Sequence, residues 1–495
     1  MRLLSKSKLL SFRQCPRKLW LQCHHPELEK NSDTSEAGFA AGNAVGAVAR
    51  RLFDPHGRGE LVEVGRIGYE AAFQRTRELL DTAQPIFEGG FATDGAMAFA
   101  DVMLPIEKNG SLAWRMVEVK SATSLKDYYR EDAAIQAFVT RSIGVPLENI
   151  LIAYVDNEWE YAGDGNYRGL FHEQDVTQET LELTAAVEQW IADAREIVAH
   201  GSEPLRTTGD HCEDPFPCGF FTYCRSREPP VEHPVAWLPN IRTKALKAYI
   251  AEQGFADLRD VPDQLLNSTQ QRVKAATLSG RPFFDAPAAA AMLAQHFLPA
   301  FFLDFETIGF AVPIWKGTKP YQAHTFQFSV HKLGADGELE HRDFLDLSGN
   351  DPREALAQAL IGACETCGPI FVYSGFEAAR IRELAVHFPQ LDSSLNALLP
   401  RLVDLRPIAE RCYYHPSQQG SWSIKALLPA LTGRSYAELG GVSDGTKAME
   451  AYLEAIDPGT PAERKAEIDN ELRAYCALDT EAMLEIWRVF RGRNG

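Results

Sequence analysis

The chain has 495 residues, 45% hydrophobic and 24% charged, ordinary globular values that exclude a disordered, collagen-like or low-complexity protein. At ~150 residues per domain, this length allows about three domains. Fifty basic against 68 acidic side chains leave a formal charge of −18, which excludes a nucleic-acid binder that uses its whole surface but permits a local basic track.

No apolar run reaches the roughly 18–20 residues of a membrane span, and MRLLSKSKLLSFRQCPRKLW lacks a small-residue cleavage site, so a cytoplasmic location is expected. Within residues 1–30, seven basic side chains (Arg2, Lys6, Lys8, Arg13, Arg17, Lys18, Lys30) face two acidic ones (Glu27, Glu29). That run is either a solvated terminal segment or part of a track. Helices are expected over 36–53 and 67–82. Alternating apolar strands follow in PIFEGGFATDGAMAFADVMLPIE and LAWRMVEVKSA, joined by the turn-forming KNGS. A helix over 127–143 and a strand over 150–156 complete an α+β pattern for residues 1–228. Proline-rich REPPVEHPVAWLPN marks a boundary, short amphipathic helices fill a connector over 229–297, and residues 298–495 read as a mixed sheet flanked by helices.

Glu118-Val119-Lys120 puts a carboxylate and an ammonium on one face of a strand, and Asp101 on a facing strand completes an oxygen-rich Mg²⁺ site. Alone, such a motif is more commonly a surface ion pair. Here Glu88 lies on an upstream strand and Gln136 on the following helix. The order Glu, Asp, E-x-K, helix Gln resembles the PD-(D/E)xK nuclease superfamily in its RecB-like branch, over residues 1–228. That resemblance implies a restriction-endonuclease-like fold, metal binding by Glu88, Asp101 and Glu118, and catalytic roles for Lys120 and Gln136. Two positions depart from it. GNAVG has Val45 where the branch has a histidine, and Thr140 stands where its helix motif has tyrosine.

Nine cysteines in a cytosolic chain read as metal or catalytic chemistry with spares. Cys212, Cys218 and Cys224 are spaced x5 and x5, unlike the C-x₂₋₄-C knuckles of structural zinc. With Cys15 as a distant fourth thiolate they suit an iron–sulfur cluster; zinc or unrelated buried thiols are the alternatives. The layout resembles iron–sulfur RecB-like nucleases, which implies a structural [4Fe–4S] cluster on these four residues. Their usual late spacing, C-x₂-C-x₅-C, differs from this one. Cys23 reads as a spare, and Cys364-x₂-Cys367 as packing.

In the C-terminal part, the strand PAFFLDFET carries Asp304 and Glu306 at i and i+2, able to share divalent ions. In LRAYCALDTEAMLEIW, Tyr475 and Asp479 are i,i+4 neighbours on a helix. D-x-E on a first strand and Y-x-x-x-D on a last helix resemble the tyrosine-bearing DEDD 3′–5′ exonucleases of the ribonuclease-H-like fold. That family carries a middle carboxylate just after a strand; Glu377, after IFVYS, is the favoured match, with Asp404, at the end of RLVDL, as rival. The resemblance implies metal binding by Asp304, Glu306, Glu377 and Asp479, and positioning of water by Tyr475. Ser423 is expected to cap a helix, with Lys425 in its first turn either near a phosphate or plainly solvated.

The full arrangement resembles an uncharacterised bacterial family that joins a RecB-like nuclease with cluster cysteines to a domain of unknown function. The expected activity is hydrolysis of DNA, or RNA, using Mg²⁺ or Mn²⁺. A nucleic-acid-binding scaffold with one or both centres inert is the rival reading.

Overall fold

The computed structural model describes residues 3–30, 34–241, 243–436 and 440–492. The protein is a mixed α/β chain in two compact units: Met1–Pro229 with Gly309–Gln322, and Pro230–Ile308 with Ala323–Gly495. Among the described residues, no helix is long and apolar enough to cross a membrane.

The first unit is built on a seven-stranded sheet of β1 (Leu4–Ser5), β2 (Glu60–Leu61), β3 (Ile86–Thr93), β4 (Ala96–Lys108), β5 (Ser111–Lys120), β6 (Leu147–Val155) and β7 (Phe171–Asp175). Strands β2 to β7 lie in chain order, and β1 pairs in parallel with the start of β4. The β4–β5 hairpin closes at Lys108 and Ser111 through Asn109 and Gly110, both at positive φ (51° and 77°), the backbone that Asn-Gly supports. One sheet face buries Ile86, Met103, Met116 and Ile150 with residues of the helices Lys6–Gln14, Asp127–Ser142 and Thr184–Ala199. The other face buries Phe87, Val102, Val117 and Leu151.

The second unit contains β8 (Phe283–Phe284), β9 (Ala300–Ile308), β10 (His324–Leu333), β11 (Leu339–Leu345), β12 (Ile370–Val372), β13 (Leu402–Asp404) and β14 (Tyr413–Tyr414). Its main sheet has the order β11-β10-β9-β12-β13, antiparallel from β9 to β11 and parallel across β9, β12 and β13. Period-two alternation divides β9. Phe301, Leu303 and Phe305 enter one core, while Phe302 packs against Phe371 and Trp487 in another. Asp304 and Glu306 continue the row begun by Phe302, on the face covered by the helix Ala462–Phe490.

Two segments fall differently from the sequence expectation. The connector expected over 229–297 is part of the second unit. Its helices Ser268–Ser279 and Ala286–Leu293 bury Val273, Ala276, Ala289 and Leu293 in the Phe302–Trp487 core, and β8 pairs with β14. Residues 309–322, expected inside the C-terminal domain, belong to the first unit. Ala311 and Val312 pack there with Val45, Val48, Val155 and Leu170. In both cases the segment's apolar side chains are buried with those of the unit it joins.

Candidate functional site

In the first unit, register assembles the acidic residues. Glu88 lies on β3 between the pairs Phe87–Val102 and Gly89–Ala100, at φ 54°, and Asp101 and Glu118 lie just past the Val102–Val117 pair of β4 and β5. The three carboxylates form a row across three adjacent strands, close enough for the charge of Glu118 to act on both of the others, and Glu118 faces Gln136 of the helix Asp127–Ser142. Asp101 also accepts the backbone N–H of Val119 at 2.7 Å.

Glu118 is only 1% exposed and already has cationic partners. Lys6 Nζ donates to it at 3.0 Å, Lys120 Nζ at 2.5 Å, and Gln136 Nε2 donates to its other oxygen. Asp132, also buried, bonds Lys120 and lies 3.1 Å from Lys6. Burial by itself would raise the Glu118 pKa, but the ammonium groups of Lys120 and Lys6 prevail and hold it far below the usual carboxylate range. Burial, then the charge on Glu118, pushes Asp101 well up; the same two causes raise Glu88. Asp132 escaped the sequence reading, and Lys6 entered it only as one of the basic side chains of residues 1–30. Asp132 lies at i−4 from Gln136, so a helical-face argument could have found it. Nothing local marks Lys6, which is delivered by the β1–β4 pairing at Leu4–Ala96.

The structure brings Cys15, Cys212, Cys218 and Cys224 to the lining of one cavity, with Lys18 and His211. Cys15 sits at an extended corner between the helices Lys6–Gln14 and Pro16–His24, φ −162°. Gln14 ties that corner to the later loop by donating to the carbonyls of His211 (2.9 Å) and Phe216 (2.7 Å). Arg17 adds an ion pair with Glu203 at 2.5 Å, and Trp20 Nε1 donates to the carbonyl of His200 at 3.0 Å. Burial raises the Cys218 thiol and takes Cys224 to about 11. Metal binding here therefore has to displace protons. Four soft donors, with Lys18 beside Cys218 and Cys15 and Arg17 beside Cys224, fit a metal–sulfur group. Cys23 packs instead on the sheet core. Cys364 is buried and Cys367 exposed.

In the second unit, Asp304, Glu306 and Cys476 bring one ligand atom each within 4.8 Å of one another. Glu306, Asp479 and Tyr475 are 7%, 6% and 4% exposed. Asp479 accepts a 2.5 Å hydrogen bond from Tyr436, and Tyr475 bonds it as well. Burial followed by the charges of Asp479, Glu306 and Glu377 pushes Asp304 well up. Burial and Asp479 take Glu306 to about 8, while burial takes Glu377 to about 7 and Asp479 to about 6.

Glu377, 3% exposed, lies in the first turn of the helix Phe376–His387, just past the carboxyl end of β12. Its charge is felt by Asp304. Asp404 instead acts on Glu377 and Tyr373 and accepts the Arg406 backbone N–H at 2.9 Å. Ser423 caps the helix Ile424–Thr432, as the sequence indicated. Lys425 in its first turn is not plainly solvated. It is half-buried, donates to the Ser443 carbonyl at 2.8 Å, and lies 5.0 Å from the Tyr475 ring and 5.5 Å from the Tyr436 ring. Its charge acts on both Glu306 and Asp479. Tyr436 was also missed, since no local pattern relates it to a helix 43 residues later.

The two carboxylate groups thus differ in kind. In the first unit two lysines balance Glu118 and Asp132. In the second, the charges of Glu306, Glu377 and Asp479 all act on Asp304, Lys425 is a nearby cation, and the thiol of Cys476 lies among the convergent ligand atoms.

Residues 301–423 match a family model described as a domain of unknown function, DUF2779. The match includes Asp304, Glu306, Glu377 and Asp404 and stops before Lys425, Tyr475 and Asp479. No curated protein matches the chain.

Proposed function

We propose that the protein is a metal-dependent nuclease whose principal centre is the carboxylate cluster of the second unit, releasing nucleotides from 3′ ends of DNA or RNA. The observation that carries this reading is the set of repelling carboxylates Asp304, Glu306, Glu377 and Asp479, the first half-buried and the other three buried, whose charge calls for divalent cations. Asp304 and Glu306, on one face of β9, would hold those cations together with Glu377 and Asp479. The cations would supply Lewis acidity toward water and phosphate. Tyr475, held beside Asp479, would orient the attacking water, and Lys425 would meet a phosphate oxygen. The mixed five-stranded sheet, with D-x-E on its central strand and a long last helix across it, supports the ribonuclease-H-like, DEDD-type reading.

The row Glu88–Asp101–Glu118 with Lys120 and Gln136 supports a PD-(D/E)xK centre in the first unit. The second reading, an inert centre that only binds nucleic acid, is favoured by one observation: Lys6 and Lys120 already neutralise Glu118. In either case the four thiols would hold a [4Fe–4S] cluster that staples the first and last segments of that unit.

The test is cleavage of end-labelled linear and circular single- and double-stranded DNA and RNA in Mg²⁺ or Mn²⁺, after anaerobic purification. Linear strands should shorten from the 3′ end while circles persist, and Asp304→Asn or Asp479→Asn should abolish shortening. Equal loss of circular substrate would sink the exonuclease assignment. Undiminished activity in Asp304→Asn would sink the site. Stoichiometric zinc without iron would refute the cluster.

A further inference from the structure

We infer that the first unit binds a single strand of nucleic acid in a groove whose wall is the inserted segment Gly309–Gln322. The inference extends the reading of the protein as one that acts on nucleic acid. It holds whether or not the Glu118 centre cleaves.

A groove of about 700 Å³ opens immediately past the end of β5. One side is the loop Ser121–Lys126, and the other is Lys319, Tyr321 and Gln322 of the insertion. Tyr129, which also lines it, lies under the Lys120 ammonium at 5.1 Å from ring centroid to Nζ, so the groove adjoins the carboxylate row.

The insertion is fixed to this unit at several points. Tyr161 N–H donates to the Thr318 carbonyl at 2.9 Å, and Gly317 N–H returns a bond to Tyr161 at 2.8 Å. Tyr167 OH donates to Pro313 at 3.1 Å, Lys319 pairs with Glu158 at 2.9 Å, and Tyr321 OH donates to the Ser121 carbonyl. Tyr321 is nonetheless 39% exposed, held at φ 58° with its ring on the groove.

A second groove, of about 720 Å³, shares Lys126 and runs past Arg13, Arg206 and His211. Hydroxyls of Ser121, Thr123 and Ser124 can donate to phosphate oxygens, Lys126 supplies charge, and Tyr321 offers a stacking face. That combination suits a single strand, whose bases are unstacked and accessible. A duplex would offer no open base face to Tyr321. Lys319 is neutralised by Glu158, and Arg13 by Glu131 at 2.8 Å, so phosphate contacts are few and stacking dominates.

The test uses the full-length protein in EDTA, so that no strand is cut, with fluorescein-labelled oligo-dT and oligo-rU twenty-mers followed by polarisation. Tyr321→Ala combined with Lys126→Ala should weaken both probes at least tenfold. Tyr321→Phe, which keeps the ring, should bind as wild type and shows that loss of the Ser121 bond is not the cause. The salt slope should be shallow, about −0.7 for each phosphate engaged. Iodouracil photocrosslinks should map to the peptides of Tyr129 or Tyr321. Unchanged affinity in the double variant, or crosslinks confined to other peptides, would overturn the inference. Binding lost in the double variant while Asp304-dependent shortening persists supports it. If wild type binds but never cleaves, the groove stands and the nuclease reading falls.

Discussion

Asp304 and Glu118 are both carboxylates on internal strands of a sheet, and neutralising them should move stability in opposite directions. Asp304 faces the charges of Asp479, Glu306 and Glu377, so Asp304→Asn should raise the cation-free stability of the second unit by ~1–2 kcal/mol and should remove the stabilisation expected from the Mg²⁺ or Mn²⁺ proposed to bind there. Glu118 instead holds Lys6 and Lys120, and Glu118→Gln should cost about 1–3 kcal/mol, because two half-buried ammonium groups lose one carboxylate partner and keep Asp132 as the other. Differential scanning calorimetry with and without divalent cation reads both. A stabilised Glu118→Gln, or an Asp304→Asn that keeps its cation response, would contradict the contrast drawn between the two groups.

At the scale of elements, the helix Lys6–Gln14 secures the thiol loop through one side chain. Gln14→Ala leaves the carbonyls of His211 and Phe216 without that partner and should cost about 1–3 kcal/mol. Alkylation of Cys212 and Cys218 in the metal-free protein should then be faster, and unchanged rates would show the loop to be held by other contacts. The helix Ala462–Phe490 is anchored differently. Thr480, next to Asp479, bonds His331 Nδ1 and Ser329 Oγ at 2.8 Å each, and Ser329 stands opposite Asp304 in the β9–β10 register. Burial and the nearby His341 lower His331 to about 4, against an ordinary value of 6.5. The fold therefore prefers the neutral ring. Its contribution is complete above pH 6.5 and is lost as pH falls from 6.5 toward 4. The raised carboxylates of the same unit act with the opposite sign, so the difference between His331→Gln and wild type is the informative quantity. Urea titrations should show the variant losing less stability than wild type over that window. Parallel curves would assign the acid sensitivity to other groups.

For the whole molecule, the chain crosses between units twice at the insertion 309–322, leaving at Ile308 and returning at Ala323. Ile308 pairs directly with His324, so replacing residues 309–323 with Asn-Gly should close a two-residue hairpin and leave the β9–β10 ladder whole. The first unit would lose Ala311 and Val312 from the cluster of Val45, Val48, Val155 and Leu170. Limited proteolysis should then cut the first unit sooner while the cleavage proposed for the second persists. Equal protease resistance would show that the insertion adds nothing to the first unit's stability.

Much of this architecture is local in origin and could be read from the chain. Lys108-Asn-Gly-Ser111 closes a hairpin because its central residues tolerate positive φ. Asp304 and Glu306 share a face because a strand repeats every two residues, and Tyr475 and Asp479 are neighbours because a helix repeats every 3.6. Cys15 could be grouped with Cys212, Cys218 and Cys224 on ligand chemistry alone. What the sequence does not encode in any short pattern is which distant residue completes each group. Lys6 reaches Glu118 across 112 positions through a two-residue parallel pairing, and Tyr436 reaches Asp479 across 43. The insertion joins the first unit by burying a few small apolar side chains, and the helices of 244–293 join the second in the same way. Composition and periodicity determine which faces must be buried and which residues share a face. Only the packed fold decides which faces meet, because burial is non-directional and many pairings satisfy the same pattern until the chain closes.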